Sequence, residues 1–371
     1  MFTVKEVITK KDIKKFVGFP FRLYKDDKFW VPPLKSDEVK QLTPETNPAY
    51  EFCNAKFWTA WDGHKCVGRI GGIINSIYNE KTGEKLGRIT RCEFIDNKEV
   101  SSLLFGTVEK WFKEEGMTVA HGPLGFSNLD NQGLLIEGFD YLPSVASVYH
   151  KPYYQIHFED LGYSKENDWV EFRLTLGEQA LKKGIRGAQI VKRRYGFEVL
   201  SFSTTDELRP YSRLIFEVLN DAFADLPYVS SFSDKMIDLY SKKYFKILNP
   251  KFVTIIKKDG NLAAFVIGMP SLSEAMQKAN GNLFPLGFYY ILQALKKPKV
   301  IDLLLTAVLP EFHTSGAAVI LFAELQQEMM SQGINQMETT GIFETNHNVI
   351  SNWKNYEHIQ HKRRRAYRKN L

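Results

Sequence analysis

The residues best placed to do chemistry lie toward the C-terminus. An apolar run, Leu303-Leu304-Leu305-Thr306-Ala307-Val308-Leu309, leads into Pro310-Glu311-Phe312 and then His313-Thr314-Ser315-Gly316-Ala317-Ala318, where an amphipathic pattern begins. A strand that feeds a helix through such a loop leaves the first N–H groups of the helix without intrahelical partners, and the helix dipole adds positive potential there. Small residues such as Gly316 and Ala318 let an anionic group approach the backbone closely. An ordinary strand-to-helix turn has the same outline, so the loop alone names no ligand. Further on, Glu344-Thr345-Asn346 precedes another helical pattern, and Asn346 reads equally well as its N-cap.

Groups that could move protons are spread more widely. Glu338, Asp302 and His313 lie in the second half, while Asp130, Glu137, Asp140 and His150 cluster in a loop-rich stretch of the first, close to Tyr149, Tyr153 and Tyr154. Each one alone is as well explained as a cap, a turn residue or a surface charge. No Ser-His-Asp or Cys-His set stands out, and His347, His358 and His361 lack tight ligand spacing, so no metal site is expected. Cys53, Cys66 and Cys92 are odd in number and without metal spacing, which predicts free thiols, a reducing compartment and a cytoplasmic address. The first residues run into Lys10-Lys11-Asp12 and not into an apolar signal segment, and no apolar run approaches the roughly 20 residues of a membrane span.

The elements that must position these groups follow from periodicity. Residues 1–50 read as an N-terminal arm with one helix, packed on the first domain, with Pro20, Pro32, Pro33, Pro44 and Pro48 as punctuation. Strands are expected at Ala55 to Trp61, Val67 to Asn75 and Arg88 to Ile95. A helix follows from Val100 to Glu115, capped by Asp96 or Asn97 and ended by Gly116. A strand at Thr118 to His121, a helix at Tyr153 to Leu161 and a strand at Trp169 to Leu174 complete a first domain, 51–176. The basic segment 177–196 reads as a connecting helix. In 197–371 the same order recurs: a hairpin about Asp259-Gly260, a strand at Val300 to Leu309, a helix at Gly316 to Gln332, a strand at Gln336 to Thr340, a helix at Val349 to Asn355 and a last strand at Lys362 to Lys369. The fold class expected is α/β (α+β), with two similar domains, each a mixed, mostly antiparallel sheet flanked by helices.

These segments carry a resemblance. The strand-loop-helix of Leu303 to Ala318 resembles the acyl-CoA-binding unit of the GNAT N-acyltransferase superfamily, with His313 at the position of the usual Arg or Gln, Gly316 at the Gly and Ala318 at the last small position. Glu344-Thr345-Asn346 resembles the Glu-x-Asn that opens the next helix. The stretches His121 to Ser127, Gly133 to Asp140, Tyr149 to Tyr154, Phe19 to Tyr24 and Trp30 to Leu34 are similar to a family of bacterial tandem-GNAT proteins. The resemblance implies acetyl-CoA or a longer acyl-CoA as co-substrate, bound by Leu309, His313, Thr314, Ser315, Gly316, Ala317, Ala318 and Asn346. The first half has Ile95-Asp96-Asn97-Lys98-Glu99 in place of a pyrophosphate loop, and His150 where the family has Asn. It reads as a degenerate domain that supplies acceptor-side surface.

Acyl transfer from a thioester to an amine needs a base, donors to the carbonyl and a proton for the leaving thiolate. The family's proton-donating Tyr is replaced by Trp353, which leaves Tyr356, three residues further and expected one turn along the same helix face, as a fallback; Glu338, Tyr149 and Tyr153 complete the catalytic candidates. The expected function is N-acylation of an amine on a small molecule or an amino-lipid, with a catalytically inactive CoA-binding or partner-binding protein as the alternative. Net charge is +6, yet His361 to Leu371 alone holds six Lys or Arg, and the remaining 43 basic residues balance 43 acidic ones. A nucleic-acid partner is therefore not expected. The basic terminus itself has three readings: the solvated end of a strand, a contact to an anionic ligand, or a peripheral membrane contact. Oligomeric state is left open by the sequence.

Overall fold

In each half of the chain, apolar residues recur on strands joined by tight turns, and one long helix lays its aromatic stripe across them. The computed structural model describes residues 1–245 and 247–371. In chain order the first half folds as β1 (Phe2–Glu6), α1 (Lys10–Leu23), α2 (Lys35–Leu42), β2 (Cys53–Asp62), β3 (Lys65–Asn75), α3 (Ser76–Thr82), β4 (Leu86–Phe94), α4 (Lys98–Glu114), β5 (Val119–Gly122), β6 (Leu134–Glu137), α5 (Tyr153–Asp160) and β7 (Ser164–Thr175). The second half folds as α6 (Glu178–Tyr195), β8 (Glu198–Ser201), α7 (Thr205–Leu208), α8 (Ser212–Ala222), α9 (Asp234–Tyr244), β9 (Val253–Lys258), β10 (Asn261–Pro270), α10 (Ser273–Ala279) and α11 (Gly287–Lys296). It ends with β11 (Val300–Val308), α12 (Ala317–Ser331), β12 (Gln336–Thr339), β13 (Ile342–Phe343), α13 (His347–Ile350) and β14 (Glu357–Asn370).

Two contact units result: Met1–Val170 with Ser273–Ile291 and Lys362–Leu371, and Glu171–Leu272 with Leu292–His361. In the first, β1 to β4 form an antiparallel meander, and β5 lies parallel to β4 with Leu86 opposite Val119. Helix α4 starts at Asn97, whose side chain accepts from the Val100 N–H at 3.1 Å, and buries Leu104, Val108, Trp111 and Phe112. The sheet makes room for those rings by giving up side chains. A Cβ on Gly72 or Gly87 would come within 2.6 Å of Trp111 or 2.5 Å of Phe112. In the second unit, β8 to β11 run antiparallel, and β12 lies parallel to β11 with Val300 opposite Gln336. The β9–β10 turn falls at Asp259 and Gly260, both with positive φ, as the Asp-Gly dipeptide predicts.

The order meander, helix, parallel strand, short helix, last strand therefore occurs twice, as the sequence indicates. The last strands, however, change places. The end of β14 pairs with β5, Tyr367 opposite Gly122, and the end of β7 pairs with β12, Thr175 opposite Gln336. The expected segments 51–176 and 197–371 are thus interleaved in the contact units, because strand order in sequence does not reveal which sheet a final strand joins.

Three further expectations are corrected. The N-terminal segment is not an extended arm with one helix: β1 adds an edge strand to β2, and α2 is a second helix, too short and polar to announce itself. The segment 177–196 is not a mere connector. Helix α6 packs on α12, where a Cβ on Gly187 would stand 3.2 Å from Val319 and one on Gly184 3.6 Å from Ala323. The basic terminus is neither a solvated strand end nor a free cationic surface. Arg363 and Arg365 bind the buried Asp168, Arg368 binds Glu84 and Glu166, and Lys369 binds Glu109. Lys362 donates to the carbonyls of Gly138 and Tyr141, and Arg364 to that of Gln132.

Candidate functional site

The second unit brings together the loop, the strand edge and the carboxylates that the sequence singled out. Strand β11 is paired with β10 along its whole length, from Ile301 to Val308, but with β12 only from Val300 to Leu303. The Thr340 hydroxyl closes that parallel pairing by donating to the carbonyl of Leu303 at 3.2 Å. Beyond it, the β12-side edge of Leu304–Val308 has no strand partner among the described residues. This splay leaves a strand edge without a neighbouring strand, an arrangement to which an extended amide-bearing chain can add like another strand.

At the far end of that edge, Pro310–Phe312 form a turn of 3₁₀ helix and Gly316 opens α12 in a left-handed conformation with φ of 83°. No side chain caps α12. Ser315 is buried, donates to the Phe312 carbonyl at 2.7 Å and accepts from the Ala317 N–H at 3.1 Å. Among the described residues the N–H groups of Thr314, Gly316 and Ala318 make no hydrogen bond, so the 15-residue helix presents open donors where its dipole is positive. The corresponding helix of the first unit is closed instead. Asn97 caps α4, and the buried His157 bridges Asp96 at 2.9 Å and Ser101 at 2.7 Å.

Two of the loop candidates have other duties. The Leu309 N–H is taken by the Ala263 carbonyl at 3.0 Å, and the His313 imidazole turns back to the Val308 carbonyl at 3.0 Å. His313 thus braces the loop rather than reaching outward as the Arg or Gln of the resemblance would. Asn346 caps α13 by accepting from the Val349 N–H at 3.2 Å. Tyr356 does not continue that helix as expected. The helix ends at Ile350, a 3₁₀ turn follows, and Tyr356 leaves it in extended backbone with its hydroxyl donating to Gln326 of α12 at 3.2 Å. Burial raises its pKa, so it is a hydroxyl over the whole working range. Trp353 is fully buried against Phe322, a core residue.

One residue before the strands part, Asp302 and Glu338 are direct partners in the parallel register. Glu338 is next to Arg173 in the register of β7, and its carboxylate accepts from the Arg173 Nε at 2.7 Å. The His361 Nε2 stands 3.8 Å away on its other side. Asp302 is wholly buried, and burial first, then the neighbouring Glu338, hold its pKa well above the carboxylate range. One of the two acids is therefore neutral, which relieves like-charge repulsion on the other. Glu171, also buried, adds to that pressure. Glu171, Arg173 and His361 were not among the catalytic candidates from sequence. The available signal was two charges alternating with Val170, Phe172 and Leu174 on an otherwise apolar strand.

The raised pKa has a measurable consequence. The folded chain keeps a proton on Asp302 that the unfolded chain releases above pH ~4. Its contribution to stability is complete below that pH and is lost as pH rises toward the folded pKa, at about 1.4 kcal/mol per pH unit. Asp302→Asn carries no such proton. Its melting temperature is expected to gain on wild type by a few degrees as pH is raised from 5 to 8, read by circular dichroism. A constant difference across that range would mean that Asp302 is ionised in the fold.

The first-unit candidates are held by local structure. The Tyr149 hydroxyl donates to Asp27 at 3.0 Å, and burial together with that carboxylate raises its pKa. Tyr153 donates to the Phe94 carbonyl, with its pKa pushed up to about 12 by burial. Buried His150 accepts from the Leu135 N–H at 3.2 Å, and burial lowers its pKa to about 4. Asp130 is ringed by the Ser127 N–H and Gln41. Glu137 pairs with Arg363 at 3.2 Å.

A meander, a long helix and a parallel strand after it, present in two related halves, define the tandem GNAT fold, and only the second half has the open helix start. The tandem GNAT protein from the clavulanic acid biosynthesis pathway superposes with a TM-score of 0.57 at 13% identity, over 99% of this chain and 98% of that one. A GCN5-related N-acetyltransferase from Sphaerobacter thermophilus gives 0.50 at 11% identity, over 100% and 95%. Two curated proteins are similar in sequence along nearly their whole length. Protein YghO of Escherichia coli (strain K12) is 28% identical over 99% of this chain and 95% of its own, and the bacterial ceramide synthase of Caulobacter vibrioides is 27% identical over 98% and 96%. No family model matches the sequence.

Proposed function

We propose that the protein is an acyl-CoA-dependent N-acyltransferase whose second unit holds the acyl-CoA and whose acceptor is the amine of a long-chain amino-lipid. The observation that carries the reading is the uncapped helix start at one end of the unpaired β11 edge and, at the other end, the buried carboxylate of Glu338 on the neighbouring β12. The diphosphate fits the N–H groups of Thr314, Gly316 and Ala318, where only backbone and small side chains intervene. The amide-bearing arm of the cofactor fits the edge of Leu304–Val308. The thioester is assigned to the end of that edge, where Glu338 takes a proton from the acceptor's ammonium so that the neutral amine attacks the thioester carbonyl, while Arg173 and His361 hold the carboxylate in place. Tyr356, a neutral hydroxyl within the same unit, is assigned the return of a proton to the leaving thiolate. The cofactor supplies the activated acyl group and its binding energy; the chain supplies position, a base and a proton.

The acceptor class is supported by a relative. A ceramide is the fatty amide of a long-chain amino alcohol, and the Caulobacter protein of that name aligns over nearly all of both chains. Acetyl-CoA and long-chain acyl-CoAs should be offered with a sphinganine-type amine and with a panel of soluble amines, and N-acyl products followed by mass spectrometry. Amide formed only on the long-chain amine supports the proposal. Amide formed only on soluble amines removes the lipid acceptor and keeps the enzyme. Binding of acyl-CoA without any amide would favour a CoA-binding protein that has lost catalysis, the reading that Trp353, a core residue where the resemblance has Tyr, speaks for.

A further inference from the structure

The segment from Phe284 to Leu292 has no part in the site described above, yet it carries a run of exposed apolar side chains. Among the described residues, five of the fourteen exposed large hydrophobic side chains fall within it: Phe284, Leu286, Phe288, Tyr289 and Leu292. Phe284 is 78% exposed and Leu286 56%, and it is their grouping in one patch with three neighbours, not the exposure of any one, that marks an interaction surface. On α11 the exposed positions Phe288, Tyr289, Leu292 and Lys296 follow helical spacing, so they share one side of a helix about 15 Å long. Phe284 in the preceding loop rests against Phe288, centroids 5.7 Å apart, and extends that side beyond the helix.

The platform beneath is firmly tied. Ser273 donates to the Pro143 carbonyl at 2.7 Å, Gln277 to the carbonyls of Lys28 and Trp30, and the Gly281 carbonyl accepts from the Lys35 N–H at 2.9 Å. The apolar tip is thus displayed by a braced loop. Charge is distributed to match. Between Ala275 and Ile301 there is no Asp or Glu, whereas Lys278, Lys296, Lys297 and Lys299 are present, the last three directly after the apolar side of α11. Apolar and aromatic residues beside exposed lysines, whose stems can lie along a surface while the ammonium stays in water, are the composition of a helix that rests in a bilayer interface. A second copy of the chain would offer these lysines no acid within the patch, whereas anionic headgroups would.

We propose that α11 and the loop before it are a membrane-docking edge, with Phe284, Leu286, Phe288, Tyr289 and Leu292 inserted among lipid chains and Lys296, Lys297 and Lys299 set against anionic headgroups. This inference is independent of what the site acylates. The test is flotation of the full-length protein with vesicles of phosphatidylcholine alone or rich in phosphatidylglycerol, no substrate being present. Binding is expected to the anionic vesicles and to weaken as salt is added. Phe284→Ser with Phe288→Ser should lower the partition coefficient about tenfold or more, with the melting temperature unchanged because both side chains start in water. Lys296→Gln, Lys297→Gln and Lys299→Gln together should erase the preference for anionic lipid. The proposal is overturned if wild type and the Phe variant float equally, or if no vesicle binds. It is also overturned if sedimentation velocity shows a dimer that the Phe variant splits, since the face would then be covered by a second copy.

Discussion

Thr314→Glu is expected to abolish the rise in melting temperature that acyl-CoA produces, without unfolding the protein. Thr314 is exposed, and its N–H is one of the open donors before α12, so a carboxylate there stands where a diphosphate oxygen would. Two like charges about 4 Å apart at an effective dielectric near 20 repel by about 4 kcal/mol, roughly a thousandfold in Kd. A ligand at a hundred times its Kd stabilises by about 2.7 kcal/mol, and nearly all of that should vanish. Gly316→Glu is a poorer probe than its sequence suggests. Gly316 has φ of 83°, and a Cβ there would lie 3.0 Å from Val191, so the variant strains the α6–α12 contact as well. Isothermal titration of Thr314→Glu separates binding from folding. If that variant binds acyl-CoA as wild type does, the loop is not the diphosphate site.

Glu338→Gln is expected to lower kcat about 10²- to 10³-fold and to leave KM for the acyl-CoA near that of wild type. An amide oxygen can still accept from Arg173, so the strand register and the buried polar row should persist. The alkaline-going limb of the pH–rate profile, which reports ionisation of the base, should disappear. Asp302→Asn is the matched control. Asp302 is held neutral already, and its amide should keep most of the activity while altering stability against pH as described above. A Glu338→Gln enzyme with kcat close to wild type would move the base elsewhere and leave the row of Asp302, Glu338 and Arg173 a structural network.

Much of the architecture was legible in the sequence, because strands with turn dipeptides and helices with one apolar stripe leave periodic traces. The basic segment 177–196 was expected to be helical, and α6 fills it from Glu178 to Tyr195, with Gly196 closing the helix in a left-handed conformation. The hairpin at Asp259-Gly260 and the start of α12 at Gly316 were equally readable. What periodicity cannot report is pairing between segments far apart in sequence. The six bases of the C-terminal strand looked like a patch, and only the fold shows Asp168, Glu166, Glu84 and Glu109 waiting for them. Within the site, the loop was marked by its small residues and Glu338 by its place on a strand. Arg173, which holds that carboxylate, sits 165 residues earlier, and no local pattern joins the two. Tyr356 was misplaced for a local reason: Ser351–Asn355 tighten into a 3₁₀ turn, which changes the face on which the next residue emerges.

The exchange of final strands governs how this chain can come into being. A ribosome delivers β5 long before β14, so the sheet of the first unit stays one strand short until the last residues are made. A break in the loop after β7 would yield two polypeptides, each holding the piece its counterpart lacks, and neither able to close its own sheet. Mixed together they should restore one another, as split reporters do, and either one alone should be prey to proteases. Removal of the last ten residues would open the sheet at the far end of the sequence, beside β5. Such a molecule cannot be shuffled by recombination as two independent modules, because each sheet is completed by a strand from the other half of the sequence.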